Sequence, residues 1–253
     1  MRDRDEKAAA FRALHVKGDP LVLWNVWDAG SARAVAEAGA PAVATGSWSV
    51  AASQGYGDGQ QMPLDAVLWT ARQIAAAVDV PVSVDFEACY ASGPKAAGEN
   101  VARLLETGIV GINYEDREIG GEGLVDARAQ GRRIAAVRKA AEAAGVALFI
   151  NARTDVFFQG SDAEPADLMA ETLARAEIYA GAGADGLFVP GLSEPGLIAR
   201  VCEGTELPVN VMRANGGAAT MLLADAGVAR ISHGPAPWRA AMAAVTAAAK
   251  ALV

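Results

Sequence analysis

Pro81-Val82-Ser83-Val84-Asp85-Phe86-Glu87 is a short apolar run that ends abruptly in two carboxylates. Side chains alternate across a strand, so we expect Asp85 and Glu87 to point the same way. Two neighbouring acids repel each other unless a cation lies between them, and a hard divalent cation with oxygen ligands is the usual solution. The alternative is a strand that runs into a solvated loop. The stretch therefore predicts a buried strand that ends either at a cation site or in a solvated loop.

The pattern of a short apolar run followed by an alanine-rich helix recurs along the whole chain. After a first helix at Asp5–Leu14, strands are predicted at Leu21–Asn25, Ala42–Thr45, Val82–Asp85, Gly111–Tyr114, Leu148–Asn151, Gly186–Val189, Val209–Val211 and Arg230–Ser232. The helices that follow them are predicted at Gly30–Ala38, Leu64–Ala77, Ala96–Glu106, Asp126–Ala143, Ala166–Ala180, Pro195–Cys202, Gly217–Ala224 and Pro237–Leu252. Left-handed glycine C-caps are predicted at Gly39, Gly108, Gly145, Gly181 and Gly227. Eight such units favour a closed (β/α)₈ TIM barrel, with a doubly wound open sheet as the alternative.

Composition limits the class of protein and its partners. The chain has 253 residues, of which 52% are hydrophobic, and no linker divides it, so we expect one domain over residues 1–253. A net charge of -8 with scattered acids argues against nucleic acid and against an anionic membrane surface as partners. The charged N-terminus leads into no apolar signal segment, which predicts a soluble, cytoplasmic protein. Cys89 and Cys202 have no disulfide or zinc spacing.

Common cofactor and catalytic motifs are absent from the sequence. Gly181-Ala-Gly183-Ala-Asp-Gly186 matches a dinucleotide fingerprint, but it follows a predicted helix and precedes a strand, which is the reverse of the required order. No phosphate-binding loop, serine-hydrolase elbow or zinc-protease motif occurs. NAD, phosphate-loop, serine-hydrolase and zinc-protease chemistry therefore lack support.

Polar residues follow nearly every predicted strand. These residues are Asp28, Gly46-Ser47-Trp48, Asp58, Asp85, Glu87, Glu115, Asp116, Arg153, Asp155, Asn210, Arg213 and His233. In a barrel the loops after the strands meet at one face, which carries the active site. The set therefore predicts a metal and organic-anion site at that face.

Several of these residues have an alternative structural role. Asp28 is also suited to cap a helix, and Glu115 with Asp116 could form a solvated loop. Arg153 follows a buried run, so it needs either an anionic ligand or a structural pair with Asp155 or Glu115. His233 is interpreted as a structural residue. Trp24, Trp27 and Trp69 are interpreted as packing residues, whereas Trp48 is expected near the pocket.

An ordered series of motifs resembles the isocitrate lyase and phosphoenolpyruvate mutase superfamily, in its short mutase-like branch. The matching pieces are Trp27-Asp28-Ala-Gly-Ser-Ala, Ala-Thr-Gly46-Ser47, Gly55-Tyr-Gly-Asp58-Gly, Pro-Val-Ser-Val-Asp85-Phe-Glu87, Gly-Ile-Asn-Tyr-Glu115-Asp116, Phe-Ile-Asn-Ala-Arg153-Thr-Asp155, Ala-Gly-Ala-Asp-Gly-Leu-Phe-Val-Pro190-Gly and Pro-Val-Asn210-Val. The resemblance covers nearly the whole chain. It implies a (β/α)₈ barrel, Mg²⁺, a 2-oxo acid or related carboxylate as substrate, and a homotetramer that exchanges its C-terminal helices.

The family pattern also assigns roles to particular residues. It implies that Asp85 binds Mg²⁺ directly and that Asp58, Glu87 and Glu115 hold the waters of the metal. Substrate would be bound by Arg153 and the backbone of Gly46-Ser47-Trp48, with Asn210 nearby. Within this set we expect Arg153, Glu115 and Asp58 to be the catalytic residues.

Departures from the family pattern narrow the reaction. The Lys-Lys-Cys-Gly-His loop of isocitrate-cleaving lyases is missing, the segment after Glu115 has no lysine where mutases have one, and Ala88-Cys89-Tyr90 replaces the usual Gly-Tyr-Gly. Decarboxylation needs fewer acid and base groups than aldol cleavage does. We therefore expect a Mg²⁺-dependent lyase that decarboxylates an oxaloacetate-type substrate through a metal-stabilised enolate. The alternatives are cleavage of a 2-alkylmalate or methylisocitrate-like substrate, phosphonopyruvate C–P chemistry, and a non-catalytic 2-oxo acid binder.

Overall fold

The computed structural model describes residues 2–118, 120–121, 123–159, 165–213 and 217–252. Within these ranges, eight strands alternate with helices along the chain. The strands are β1 Leu21–Leu23, β2 Val43–Ala44, β3 Val82–Asp85, β4 Gly111–Glu115, β5 Phe149–Arg153, β6 Gly186–Phe188, β7 Val209–Met212 and β8 Arg230–Ser232. The helices are α1 Arg2–Ala13, α2 Ala29–Glu37, α3 Ser47–Ser53, α4 Leu64–Ala77, α5 Pro94–Leu105, α6 Ala127–Ala143, α7 Val156–Gln159, α8 Pro165–Gly181, α9 Pro195–Gly204, α10 Thr220–Asp225 and α11 Ala236–Lys250.

The strands form one parallel sheet that curls into a nearly closed barrel. Neighbouring strands follow the order β1-β8-β7-β6-β5-β4-β3-β2. The two ends of this series meet just beyond β1 and β2, where Val26 pairs with Thr45 in a parallel bridge. Val26 N donates to Ala44 O at 2.9 Å, and Gly46 N donates to Val26 O at 3.2 Å. The predicted (β/α)₈ barrel is therefore confirmed, and the open-sheet alternative is wrong.

The predicted elements match the observed ones to within three residues at their ends, except at three places. Gly46-Ser47-Trp48 is expected to be a loop, but Ser47 begins α3; this helix has only seven residues, too few for a clear apolar period. The short helix α7 is also absent from the prediction. The expected C-cap at Gly181 is wrong, because Gly181 belongs to α8 and the left-handed residue is Gly183, with φ of 96°.

Helix α1 closes the amino-terminal end of the barrel. Phe11 is completely buried and makes an edge contact with Phe149 of β5, with ring centroids 5.5 Å apart. Gly111 makes room for this ring, since a Cβ atom there would lie 2.7 Å from Phe11 Cε1. Apolar side chains from β1 and β2 complete this lower layer. The space left for chemistry therefore lies at the opposite end, where the strands end.

The outer surface is apolar in two places. Val22 and Trp24, on the outer face of β1 and just beyond it, are 42% and 46% exposed. In α11 only Pro237 is buried. Trp69 is 60% exposed, so the interpretation of Trp24 and Trp69 as packing residues is wrong, whereas Trp27 does pack against the core. None of the described helices is long and apolar enough to cross a membrane.

Candidate active site

A cavity of about 220 Å³ opens at the carboxyl ends of the strands. Its wall combines four carboxylates with an apolar surface. The carboxylates are Asp58, Asp85, Glu87 and Glu115, and the apolar side chains are Trp48, Phe158, Phe188, Pro190, Met212 and Pro235. Of the substrate-binding residues implied by the family pattern, Gly46, Ser47, Trp48 and Arg153 also line it.

Asp85 ends β3 and is held from two sides. Its Oδ2 atom accepts hydrogen bonds from Ser47 N at 3.1 Å and Ser47 Oγ at 2.7 Å. Its Oδ1 atom accepts from Asn113 Nδ2 at 3.3 Å. Ser47 reaches Asp85 because α3 begins directly after β2, the strand next to β3. The carboxylate therefore has a fixed orientation toward the cavity.

Glu87 reaches the cavity by a different backbone path from the predicted alternation. The strand ends at Asp85, and Glu87, Cys89 and Tyr90 then adopt left-handed φ values of 49°, 59° and 53°. Such values are costly for residues with side chains and concentrate at functional sites. Glu87 Oε1 accepts from Gln60 N at 2.8 Å, and Oε2 accepts from the Tyr90 hydroxyl at 2.7 Å. Burial raises the pKa of Glu87, an effect that the Tyr90 hydrogen bond opposes.

Arg153 forms ion pairs with two carboxylates. Its Nη1 atom lies 2.9 Å from Glu115 Oε2, and its Nε and Nη2 atoms donate to Asp155 at 2.6 and 2.9 Å. The structural pairs considered from the sequence are therefore both present. These contacts use three of the five guanidinium N–H groups, which leaves two for a ligand.

Glu115 lies in a buried, acid-rich setting. Burial raises its pKa to about 8; Arg153 opposes this rise, while Asp155, Asp85 and Glu87 add to it. A carboxylate surrounded by other carboxylates gains from a nearby cation. Both this residue and the neighbouring Asp116 are buried, so the solvated-loop alternative for the pair is wrong.

Asp116 points away from the cavity and into the protein. It is completely buried and accepts hydrogen bonds from Asp155 N at 3.0 Å, Arg175 Nη1 at 3.1 Å and the Tyr179 hydroxyl at 2.8 Å. Arg175 and Tyr179 belong to α8, so this cluster ties the β4 and β5 loops to a helix. No sequence motif indicates this cluster, because Arg175 and Tyr179 resemble ordinary helix residues spaced by one turn.

Other residues predicted at the rim have structural roles. Asp28 caps α2 by accepting from Ser31 N at 2.7 Å. Asn210 is buried and does not line the cavity; its Oδ1 atom accepts from Asn151 Nδ2 at 3.0 Å, and its Nδ2 atom donates to Ser232 Oγ at 3.1 Å. A direct substrate contact by Asn210 stays a prediction. His233 also lies off the cavity wall, where its Nδ1 atom is 3.1 Å from Leu23 O.

The remaining candidates for acid or base chemistry are constrained by burial. Cys89 is completely buried, and burial raises the pKa of its thiol well above the ordinary value. Burial and the neighbouring Glu87 raise the pKa of Tyr90, so its hydroxyl keeps its proton and serves as a donor. Because its hydroxyl donates to Glu87, Tyr90 is unsuited to act as a base. The sequence also missed Arg117, which lines the cavity two residues after Glu115.

The carboxylates fit a hard divalent cation that is held mainly through water. Asp58, Asp85, Glu87 and Glu115 provide only oxygen ligands, as Mg²⁺ prefers, and Mg²⁺ usually keeps several of its waters. In the described parts of the chain, no three His, Cys, Asp or Glu side chains converge closely enough to hold a metal directly. Direct metal binding by Asp85 alone, which the family pattern implies, stays a prediction. Burial and the neighbouring carboxylates raise the pKa values of Glu87 and Glu115, and a bound cation would favour the charged forms of both groups.

Comparison with known proteins relates this site to enzymes. The family model of phosphoenolpyruvate phosphomutase matches residues 11–253. A crystal structure from Burkholderia cenocepacia J2315, provisionally named a phosphonomutase, is 49% identical, covers 99% of this chain and 100% of its own, and superimposes with a TM-score of 0.96. The uncharacterized protein Rv1998c of Mycobacterium tuberculosis is 34% identical over 96% of this chain and 88% of its own length. The 2-methylisocitrate lyase of Salmonella typhimurium is 28% identical over 85% of this chain and 73% of its own length.

The superfamily of these proteins is enzymatic and generally Mg²⁺-dependent. Its members include 2-methylisocitrate lyase, 2,3-dimethylmalate lyase, oxaloacetate acetylhydrolase and phosphoenolpyruvate phosphomutase, so it contains both lyases and mutases. The match of nearly the whole chain to the family model, together with the barrel and the carboxylates at its mouth, places this protein in the phosphoenolpyruvate phosphomutase family of the isocitrate lyase/phosphoenolpyruvate mutase superfamily.

Proposed function

We propose that this chain is a Mg²⁺-dependent carbon–carbon lyase that acts on a small 2-oxo acid or a related dicarboxylate, and that its reaction is decarboxylation of an oxaloacetate-type substrate. The observation that carries the proposal is the composition of the cavity wall. Four carboxylates and Arg153 line it, whereas no lysine, histidine or cysteine is found among the described residues there. Decarboxylation suits such a wall, because CO₂ departs without a base that removes a hydroxyl proton.

The metal would be held by Asp85, with Asp58, Glu87 and Glu115 placed to bind its waters. A bound Mg²⁺ would supply Lewis-acid stabilisation of the negative charge that develops on the 2-oxo oxygen as the bond to the departing carboxylate breaks. Ser47 and Asn113 orient Asp85 for this task through the hydrogen bonds described above.

Arg153 would hold a substrate carboxylate with its two uncommitted N–H groups. Its other three are fixed by Asp155 and Glu115, so the guanidinium is oriented before a ligand arrives. The Arg153 guanidinium lies over the rings of Phe158 and Phe188, with Cζ 5.7 and 5.8 Å from the ring centroids. These rings reduce the access of water and so strengthen the pairing with an anion.

Two observations favour particular alternative reactions. The apolar wall formed by Phe158, Phe188 and Met212 offers space for an alkyl group, which supports cleavage of a 2-alkylmalate or methylisocitrate-like substrate. The likeness to the Burkholderia phosphonomutase supports phosphonopyruvate C–P chemistry. A non-catalytic 2-oxo acid binder remains the alternative from a different class, and the lack of an acid–base loop supports it.

A substrate panel tests the proposal. Purified protein is incubated with Mg²⁺ and oxaloacetate, 2-alkylmalates, methylisocitrate or phosphonopyruvate, with Mg²⁺ alone and protein with EDTA as controls. We expect CO₂ release from oxaloacetate above the rate that Mg²⁺ alone produces, and loss of that excess with EDTA. No excess release combined with turnover of another substrate would replace decarboxylation by that reaction. Thermal stabilisation by Mg²⁺ and a ligand without any product would favour the binder.

A further inference from the structure

Arg117 stands at the boundary between two cavities. It lies on the wall of the main cavity and also on the wall of a second, adjoining cavity of about 220 Å³. The two cavities share Asp58, Gly59 and Glu115 as well. A substrate that binds at the carboxylates and extends into the second cavity therefore passes Arg117.

The Arg117 side chain is uncommitted, although its backbone is anchored. The residue pairs with Leu124 in an antiparallel bridge, so its Cα position is fixed beside the cavity. Its guanidinium makes no hydrogen bond and no ion pair within the part of the chain that the structure describes. Arg153, by contrast, uses three of its N–H groups on Asp155 and Glu115. Arg117 is thus the cation on this wall with its full donor set free.

The charges around the cavity indicate which kind of group the Arg117 side chain can bind. The wall that the two cavities share carries the carboxylates of Asp58 and Glu115, which would repel a second anionic group on a substrate. Such a group would need a cation, and a planar guanidinium binds carboxylate and phosphonate oxygens through paired N–H donors.

We propose that Arg117 binds the distal anionic group of the substrate and thereby selects 2-oxo acids that carry a second negative charge. This inference rests on the proposed function, in which the 2-oxo carboxylate end occupies the metal side of the cavity. It adds the residue that recognises the other end of the molecule.

Matched ligands and variants test this role. Because Trp48 lines the cavity, rapid mixing with tryptophan fluorescence reports binding before turnover. With Mg²⁺ present, the ligands are oxaloacetate, 2-oxobutanoate, which has a methyl group in place of the distal carboxylate, and oxalate, which has no distal group. Phosphonopyruvate carries a phosphonate in place of the distal carboxylate, so its binding shows which of the two anionic groups the site prefers. The proteins are wild type, Arg117→Met, Arg117→Lys and the control Arg128→Met, in which another exposed arginine, off the cavity wall, is removed.

We expect Arg117→Met to weaken binding of oxaloacetate or of phosphonopyruvate about ten- to a hundred-fold, the value of a charge-assisted hydrogen bond. Binding of oxalate and 2-oxobutanoate should stay within about two-fold of wild type, since neither ligand presents an anion to Arg117. Arg117→Lys should recover part of the loss, and Arg128→Met should match wild type.

Two results would overturn the inference. If Arg117→Met weakens the binding of 2-oxobutanoate as much as that of oxaloacetate, or weakens the binding of neither ligand, Arg117 does not recognise a distal anion. If wild type responds to none of the ligands in the presence of Mg²⁺, the proposed metal and 2-oxo acid site itself fails, and the inference fails with it. Retained oxalate binding in the variant separates the first case from the second.

Discussion

Asp85 shows how single residues build this site. Its carboxylate receives hydrogen bonds from Ser47, which is 38 positions earlier, and from Asn113, which is 28 positions later. Asn113 is in turn held by Asn151 at 2.9 Å, so a layer of amides lies behind the carboxylate. The orientation of Asp85 therefore depends on three neighbouring strands and is set before a metal binds.

The first prediction concerns Asp85→Asn. The variant removes the charge that would contact Mg²⁺ but keeps the shape of the side chain, so Mg²⁺ affinity and activity should fall together. The melting temperature without metal should change little, since the loss of the Ser47 hydrogen bonds is offset by reduced repulsion from Glu87 and Glu115. Calorimetric Mg²⁺ titration checks this, with Asp167→Asn on α8 as control. An unchanged titration of Asp85→Asn would remove Asp85 from the metal site.

The second prediction concerns Arg153→Lys. Lysine keeps the charge but has one nitrogen, so it cannot pair with both Asp155 and Glu115 and also hold a substrate carboxylate. Leaving one buried acid unpaired should lower the free energy of unfolding by about 3 kcal/mol, and turnover should fall strongly. Chemical denaturation and steady-state kinetics measure the two effects. Wild-type stability together with wild-type turnover would contradict both roles of the guanidinium.

The third prediction is a pH dependence caused by Glu115. Its pKa is raised from 4.5 to about 8 in the folded protein, so between these values the folded state keeps a proton that the unfolded chain has released. The unfolded state then binds fewer protons, and the free energy of unfolding of the metal-free protein should fall as the pH rises through this window. In thermal melts across this pH window, the melting temperature should fall less steeply with pH in Glu115→Gln than in wild type. It should also fall less steeply in wild type when Mg²⁺ is added. An identical slope in the variant would exclude Glu115 as the cause.

At the level of elements, the loops after β4 and β5 are fixed to α8 through Asp116. Arg175, whose side chain is only 7% exposed, reaches Asp116 on one side and the half-exposed Glu171 on the other. Asp116 also accepts from the backbone N–H of Asp155, the residue that orients Arg153. A helix on the outside of the barrel thus supports a guanidinium on the cavity wall.

The fourth prediction follows from this support. Asp116→Ala should lower the free energy of unfolding by about 3 kcal/mol, because it leaves Arg175 and the Tyr179 hydroxyl without their buried acceptor. Glu171→Gln, which alters the solvent-exposed partner of the same arginine, should cost less than about 1 kcal/mol. Urea denaturation of both variants measures the difference. Equal and small effects would show that the Asp116 cluster does not support the fold.

At the level of the whole molecule, two apolar surfaces are not covered by any described part of the chain. Val22 and Trp24 are exposed beside β1. Only Pro237 of α11 is buried, although this helix has just two charged residues, Arg239 and Lys250. Exposed apolar patches of this kind usually mark an interface. They support the proposal that the protein is a homotetramer in which α11 of one subunit covers another.

The fifth prediction tests this assembly. Light scattering at micromolar concentration should give the mass of a tetramer, and Trp24→Glu should shift the protein to smaller species, because a charge would be buried in the interface. Trp69→Glu changes a similarly exposed tryptophan on α4, a helix whose inner face packs against the barrel, and should leave the mass unchanged. A monomeric wild-type protein would refute the exchanged helix.

The sequence by itself determined the parallel α/β architecture and the end of the sheet that carries the site, whereas closure of the sheet into a barrel was decided by the bridge between Val26 and Thr45. Apolar runs that alternate with capped helices can satisfy their backbone groups and bury their side chains only as a parallel sheet covered by helices. The chain direction then forces the residues after the strands, among them Asp58, Asp85, Glu115 and Arg153, to one face. These inferences need only the order and spacing of residues along the chain.

Only the tertiary structure decided how the polar groups at that face are used. Asp116 and Asn210 follow their strands as Glu115 and Arg153 do, yet both are buried among partners that are up to 63 and 59 positions away in the sequence. Arg117 stands among acids in the sequence, but its side chain on the cavity wall has no hydrogen-bond or ion-pair partner among the residues that the structure describes. A residue pattern encodes the direction of the backbone, whereas the choice of hydrogen-bond partner depends on distances between strands and helices that exist only once the barrel has closed.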